Sequence, residues 1–583
     1  MNKVFLITSI LILNLILHSQ DILPVQYSFI QPNNINTVIA NNGILHYDKW
    51  TFPGGDAGFL WPAAAFQRLT AIFASGIYIG AKCGPQRELR LAASWFNSHY
   101  TAGNIPVIGQ VPPQSVCNDT NWWKVYLVNL NDVSLVNGGT RIKSAGGRNY
   151  TFNYTSWANW PVSKGAPFVE VNNIPGYQPG WNSDRPGIGN GSHARPEEIC
   201  FSVYMDYTNC TNDIHSSEIS LPGGTLPLGV EIHQITFGYN CVELRNMLFV
   251  KWRIINKSLL SWDSTYVSIV NDMDIGFASD DGFGCDTVRN LGFMYNFDNN
   301  DEGNYGINPP ACGLRFLQSP LRHTGNNIDT ARLPYDTLIG YKMTGLSGAN
   351  LFRGSASVCL GDPDEAVPGY NFMRGKDGCG RDFYNHVNHQ PTSFLYSGDA
   401  CRRIGWIDSF GADKRFIQNS GPLLMNSGDT QIVVLAYVIT RDGGNNYQNV
   451  CNMQSYSDSA LKYYYNDFQS CIPIGINPVS TDVPERFMLY QNYPNPFNPT
   501  TKIRFSIPPV GNGRDRFVQI TIYDVLGKEI STLINEELSV GTYEVEWDGM
   551  NYSSGIYYYV LTVRQAGSST DEYSKTMKMV LLK

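Results

Sequence analysis

Hydrophobic and polar residues alternate along this chain in runs too short for most helices. In Asn246–Asn256, Leu248, Val250, Trp252 and Ile254 fall on one side of a period of two, with Met247, Phe249, Lys251 and Arg253 on the other. That is the pattern of a strand. Asp263–Val270 follows after a short turn, and the pair predicts a hairpin. Gln431–Thr440 (QIVVLAYVIT) is apolar almost without a break, as a strand buried on both faces would be. Upstream, Ala71–Ile79 and Lys124–Leu130 are short apolar runs among the turn signals Asn41-Asn42-Gly43, Pro53-Gly54-Gly55 and Asn137-Gly138-Gly139. One helix is predicted, over Ser457–Gln469. There Ala460, Leu461, Tyr464, Tyr465 and Phe468 form a stripe for core packing, and Ser457 is placed to cap it.

Cys471–Arg486 (CIPIGINPVSTDVPER) carries three prolines and reads as a linker. Beyond it the alternation becomes cleaner. Ile503, Phe505 and Ile507 oppose Lys502, Arg504 and Ser506. Val518, Ile520 and Ile522 flank Gln519 and Thr521, and Tyr543, Val545 and Trp547 flank Glu544 and Glu546. Ile556–Val563 and Thr576–Leu582 complete a small antiparallel sandwich. The fold class predicted is mainly β: a large β-sandwich-type body with few helices, plus a small C-terminal sandwich. At the other end, Lys3 precedes the apolar run Val4–Leu17, which fits a secretory signal peptide and is too short for a comfortable membrane span. No other run reaches the length of a transmembrane helix, so the mature chain is expected to lack one. The organisation predicted is a signal peptide at 1–20, an N-terminal β-rich region at 21–225, a central sandwich-like region at 226–472, a linker at 473–486 and a C-terminal domain at 487–583.

Composition narrows the classes. Aromatics reach 13% and apolar residues 43%, enough for several cores, which excludes global disorder. Only 16% of residues are charged, the net charge is -8 and no Lys/Arg cluster occurs, so nucleic acid is not an expected partner. The cysteines number twelve, all between Cys83 and Cys471, without a C-x-x-C pair. In an exported chain that predicts disulfides. Cys200 and Cys210 are near enough in sequence to close a small loop, while the pairing as a whole is not legible.

The C-terminal blocks YQNYPNPFNPTTKIRFSIP (Tyr490–Pro508), VQITIYDVLGKEISTL (Val518–Leu533), GTYEVEWDG (Gly541–Gly549), SSGIYYYVL (Ser553–Leu561) and KTMKMVLLK (Lys575–Lys583) resemble, in order, the type A sorting domain (Por secretion tail) of cargo of the type IX secretion system. The resemblance implies an immunoglobulin-like sandwich, similar also to that of flagellar-hook-capping proteins. It implies Sec export, recognition by the type IX translocon and sorting machinery, and a secreted or cell-surface location outside the outer membrane of a Gram-negative bacterium. The insert Gly511–Arg516 is longer and more charged than the family pattern. The body, in Gly76–Lys82, Glu88–Phe96 and Asp263–Thr287, resembles uncharacterised cargo proteins, which implies no activity.

Candidate chemistry is acidic. Between Asp263 and Tyr305 stand nine acids and one base, Arg289. Asp272 and Asp274 leave a predicted strand on one face, and Asp280, Asp281 and Asp286 lie on the glycine-rich stretch beyond. Hard oxygen donors on a loop suit calcium, so these five are the expected ligands of a structural calcium ion, with a solvated acidic loop as the alternative. The spacing is not an EF-hand, since Phe277 stands where glycine is required, and Asp298-x-Asn300-x-Glu302-Gly303 runs out at Pro309. His386-x-x-His389 and Asp362-Pro-Asp364-Glu365 read as loop and turn residues. Trp122, Trp123, Trp157, Trp160 and Trp181 with abundant Asn are material for a sugar-binding surface, although packing is the simpler reading. Nucleophile-elbow, phosphate-loop and dinucleotide motifs are missing, and no catalytic residue is assigned. The function expected is a non-enzymatic adhesive, structural or carbohydrate-binding surface protein, with extracellular glycans as partners. The alternative is a secreted hydrolase of polysaccharide or protein, using carboxylates of the acidic window or Asp362, Asp364 and Glu365.

Overall fold

Period-two alternation builds most elements of this protein. A computed structural model describes residues 25–130, 132–169, 178–179, 196–207, 210–218, 220–241, 243–302, 304–334, 336–354, 359–466, 468, 477–480, 484–508, 516–538, 541–549, 552–565 and 571–582. The expected signal peptide and nearly all of the Gly511–Arg516 insert lie outside the described residues. The chain forms two units, Met1–Tyr239 with Glu243–Cys471, and Asn240–Val242 with Ile472–Lys583.

The first unit is built on two antiparallel sheets. Its main strands are β1 (Ala74–Cys83), β2 (Glu88–Ala93), β3 (Thr101–Ala102), β4 (Tyr126–Asn129), β5 (Glu198–Met205), β6 (Val230–Gly238), β7 (Met247–Asn256), β8 (Trp262–Asp272), β9 (Asp281–Asp286), β10 (Leu291–Asn296), β11 (Ala311–Gln318), β12 (Gly348–Phe352), β13 (Arg415–Met425) and β14 (Thr430–Thr440). The smaller sheet has the order β12-β13-β8-β1-β2. The larger runs β9-β10-β11-β14-β7-β6-β5-β3, with β4 also beside β5. The two share one core. Ile77, Ile79, Val267, Ile269 and Phe416 from the smaller sheet join Leu248, Val250, Trp252, Ile254, Leu435 and Tyr437 from the larger, all wholly buried. Each such side chain contributes about 1.5–3 kcal/mol on leaving water. Strands on both sides of residue 225 pair directly, β5 with β6 and β1 with β8, so the two body regions share their sheets.

The expected hairpin of Asn246–Asn256 with Asp263–Val270 does not form. β7 pairs with β6 and β14, whereas β8 pairs with β1 and β13. The short link crosses from one sheet to the other. At the corner Asn256 Nδ2 donates to the carbonyls of Leu260 (2.9 Å) and Met425 (3.1 Å), and Trp262 Nε1 donates to Ser258 Oγ (3.1 Å). Side chains there take up backbone groups that a tight turn would otherwise have paired.

Two helices cover the outer faces. α1 (Ala366–Met373) lays Tyr370, Phe372 and Met373 on Tyr78, Val270, Phe352 and Ile417 of the smaller sheet. α2 (Asn446–Tyr465) packs on β11 and β14. It starts at Asn446 rather than at Ser457. Asn445 is the cap, its side chain accepting from the Gln448 amide at 2.9 Å. Ser457 is interior and accepts from Arg315 Nη1 at 3.1 Å.

Disulfides join Cys117 to Cys210, Cys359 to Cys379 and Cys401 to Cys451, while Cys83, Cys200, Cys285 and Cys312 are buried free thiols. The small Cys200–Cys210 loop is therefore not closed. Cys200 is held in β5 between β4 and β6.

The second unit contains β15 (Asn477–Ser480), β16 (Met488–Leu489), β17 (Thr500–Ile507), β18 (Arg516–Tyr523), β19 (Glu529–Leu538), β20 (Gly541–Asp548), β21 (Gly555–Gln565) and β22 (Asp571–Leu581). They make two four-stranded sheets, β15-β20-β17-β16 and β19-β18-β21-β22. The alternating positions form their common core, with Ile503, Phe505, Val518, Ile520, Ile522, Val545 and Trp547 all buried. β15 lies in the proline-rich stretch read as a linker, and it pairs with β20.

Candidate metal centre

Asp272 ends β8, and its cross-strand partner is Arg415, the first residue of β13. Past that point the alternation continues: Met273 and Ile275 turn into the shared core. Asp274 stays with Asp272, and Asp413 arrives from two residues before Arg415. One carboxylate oxygen from each of Asp272, Asp274 and Asp413 lies within 4.8 Å of the other two. Asp272 is buried, Asp274 half-buried and Asp413 exposed, so the group opens from the interior to the surface. Arg415 faces it, with Nε 3.4 Å from Asp272 Oδ1 and Nη1 3.2 Å from Asp413 Oδ1. Asp362 comes in from the chain before α1, held by Ser220 Oγ, which donates to its Oδ2 at 2.8 Å. A Cβ on Gly354 would meet Arg415 Nη1 at 2.8 Å and Asp362 Oδ2 at 3.6 Å, so both groups flank one bare glycine.

This environment disfavours negative charge. Burial first, and the Asp274 charge second, push the Asp272 carboxyl well above its ordinary range, with Arg415 opposing them. Asp274 is pushed up to about 7 by burial and then by Asp413. Burial also raises Asp362, against the pull of Arg415. Burial works against the Arg415 charge, but Asp272, Asp362 and Asp413 outweigh it and hold the guanidinium protonated. Among the described residues, Oδ1 of Asp272 and Oδ1 of Asp274 are buried without a hydrogen-bond partner.

A second acidic layer stands behind. Asp281 opens β9, wholly buried. Its Oδ2 accepts from the Ile275 amide at 3.1 Å, and its Oδ1 has no hydrogen bond among the described residues. Burial and then Asp274 push it well up. Asp280 is pushed up to about 6, chiefly by burial. Asp301 accepts from the amides of Phe277 (2.8 Å) and Tyr305 (2.5 Å). Gly276 permits this turn: its φ is +74°, and a Cβ there would sit 1.9 Å from Asp301 Oδ2. Lys414, buried with Asp408, donates to Asp408 Oδ2 (2.6 Å) and to the Asp281 carbonyl (3.0 Å).

Of the five expected ligands, Asp272 and Asp274 meet in one centre, and Asp280 and Asp281 lie behind it. Asp286 is at the far end of β9, roughly 17 Å along the strand. It accepts from the amides of Val288 and Arg289 (3.0 Å each) and pairs with Arg289 Nη1 at 2.8 Å. There it lines a cleft of about 530 Å³ with Arg289, Asp458 and the Cys401–Cys451 disulfide. Asp413 is the ligand candidate that the sequence pattern did not reveal. Its spacing from Arg415 mirrors that of Asp274 from Asp272, a sign readable only once the strand register is known. Asp364 and Glu365 are exposed and part company with Asp362. His386 lies edge-on to Trp406 at 5.6 Å, and His389 is exposed. Trp157 and Trp160 are buried, their Nε1 atoms donating to the carbonyls of Asn129 and Pro167. Trp181 lies outside the described residues.

Residues 491–574 match a family described as a secretion system C-terminal sorting domain. No curated protein matches the chain. Among solved structures, the chain is similar to a polysaccharide lyase at 6% identity and a TM-score of 0.17, covering 83% of this chain and 46% of the lyase. It is similar to the adhesin domain of Epf from Streptococcus pyogenes at 7% identity and a TM-score of 0.14, covering 64% of this chain and 98% of that domain. It is similar to latent PorU from Porphyromonas gingivalis at 12% identity and a TM-score of 0.14, covering 66% and 31%. The chain thus spans less than half of the lyase, and scores this low carry no argument about function. Among the described residues, no helix is long and apolar enough to cross a membrane.

Proposed function

Because the C-terminal unit of this chain carries a secretion system C-terminal sorting domain, the protein is secreted or held at the cell surface, and we propose that its body works there without catalysis, in adhesion, in a structural layer or by binding carbohydrate. The sorting domain is the observation that carries this reading, since it also implies contact with the secretion machinery. The three disulfides joined between described residues suit an oxidising exterior. The burial of Asp272 and Asp281 supports a non-catalytic body. A glycoside hydrolase needs two carboxylates facing its substrate, whereas Asp272 is 2% exposed and Asp281 is 0% exposed, which leaves only Asp274 and Asp413 of this group toward the surface. Removing residues 487–583 tests the first half: the full chain should reach the cell exterior and the truncated body should stay within the envelope. A truncated body that still reaches the exterior refutes it. Glycan arrays and cell-adhesion assays test the second half, and silence in both counts against it.

A secreted hydrolase is the second reading. Asp362 stands beside Arg415 with Asp272 and Asp413, and Asp274 near 7 is suited to giving and taking a proton. Asp274→Asn would abolish any polysaccharide or protein hydrolysis by the chain; retained turnover removes this reading.

A further inference from the structure

We propose that Asp272, Asp274 and Asp413 bind one calcium ion at the end of the smaller sheet. Three carboxylate oxygens from three side chains lie within 4.8 Å of one another. Calcium takes oxygen ligands at 2.3–2.6 Å, so ligands across the ion stand up to about 5 Å apart and one ion spans the three. The charge agrees. Four carboxyl groups, Asp272, Asp274, Asp413 and Asp362, share the one guanidinium of Arg415, and a divalent cation is the partner that would let the trio ionise together.

A separate observation points to a ligand. Asp272 is 2% exposed, yet its Oδ1 has no hydrogen bond among the described residues. The nearest cation, Arg415 Nε, is 3.4 Å away and is itself without a hydrogen bond. Behind it the wholly buried Asp281 also keeps Oδ1 without one. Buried carboxylate oxygens are not left bare without cost. Asp413, the exposed member, supplies the side from which an ion and its remaining water ligands enter. Calcium fits such a half-open group because it accepts six to eight ligands in flexible geometry, whereas magnesium demands a near-ideal octahedron. Asp286, far along β9 and paired with Arg289, takes no part. The proposal holds whether the body adheres or cleaves.

The test uses the full chain, stripped with a chelator and titrated with calcium chloride or magnesium chloride by calorimetry, with thermal melts in parallel. One calcium per chain should bind with a dissociation constant below about 1 mM, the range of extracellular modules, and should raise the melting temperature. Asp413→Asn, at an exposed position, should weaken binding at least tenfold while keeping the wild-type circular dichroism; Asp286→Asn should bind as wild type. The proposal is overturned if no calcium binds at 10 mM, if Asp413→Asn folds and binds unchanged, if Asp286→Asn loses binding instead, or if magnesium binds as tightly as calcium.

Discussion

Replacing Lys414 by methionine tests the electrostatic footing of the acidic layer. Lys414 and Asp408 are both 0% exposed in their side chains, and the ammonium donates to Asp408 Oδ2 at 2.6 Å, to the Asp281 carbonyl at 3.0 Å and to the Phe410 carbonyl. In Lys414→Met, Asp408 keeps one amide donor, Phe283 at 3.0 Å, and its Oδ1 already lacks a partner among the described residues. A buried charge left without its counter-ion costs about 3–5 kcal/mol. The Asp281 carbonyl keeps the Ala412 amide at 3.3 Å, so its lost bond, together with that to the Phe410 carbonyl, adds about 1–2 kcal/mol. The double variant Asp408→Asn/Lys414→Met no longer buries a charge and should lose only about 1–2 kcal/mol, mostly from those two lost hydrogen bonds. Urea titration followed by tryptophan fluorescence, fitted to the transition of the body, measures both. A single variant that costs less than about 1 kcal/mol, or a double variant that costs as much as the single, refutes the reasoning.

Further perturbations check other parts of the fold. Glu198 is wholly buried, accepts from the Gln31 amide at 2.7 Å and pairs with Lys143 and the Tyr154 hydroxyl; Glu198→Ala should cost about 3 kcal/mol or more in urea melts, and a loss under about 1 kcal/mol would contradict it. In the C-terminal unit, Trp547→Ala should cost about 3–5 kcal/mol by opening the core under Phe497 and Tyr557. Burial pushes the His46 imidazole down to about 3, so between about pH 6.5 and 3 the unfolded chain binds a proton that the native chain does not. Its contribution to stability is complete above pH 6.5 and falls by up to about 1.4 kcal/mol per unit as pH drops. His46→Asn should flatten that fall between pH 6 and 4, and an unchanged slope would show that this imidazole is not the group responsible.

Much of the architecture is legible wherever alternation is local. Leu248, Val250, Trp252 and Ile254 declare their buried face within one strand, and the C-terminal core residues do so in strand after strand. The early part of α2 conceals its face because polar residues occupy it. Asn446 Nδ2 donates to the Asn296 carbonyl at 2.9 Å, and Asn449 Nδ2 to the Pro309 carbonyl at 2.7 Å, so the buried stripe does not look apolar. The missing hairpin has a similar cause: a short link suits a turn equally well whether or not Asn256 and Ser258 divert it to the opposite sheet. The acidic window announces Asp272 and Asp274, but Asp413 joins them only through the pairing of Asp272 with Arg415. Register between strands far apart in sequence is not written in either strand alone.

The arrangement of sulfur atoms imposes an order on maturation. Cys117 and Cys210 are 93 residues apart, whereas Cys200 is a much nearer competitor for Cys210. Loop-closure entropy favours that wrong partner by about 2 kcal/mol in an open chain. Only when β5 has been enclosed between β4 and β6 is the Cys200 thiol withdrawn from competition. Enclosure of β5 before oxidation thus favours the long Cys117–Cys210 cross-link over the short Cys200–Cys210 loop.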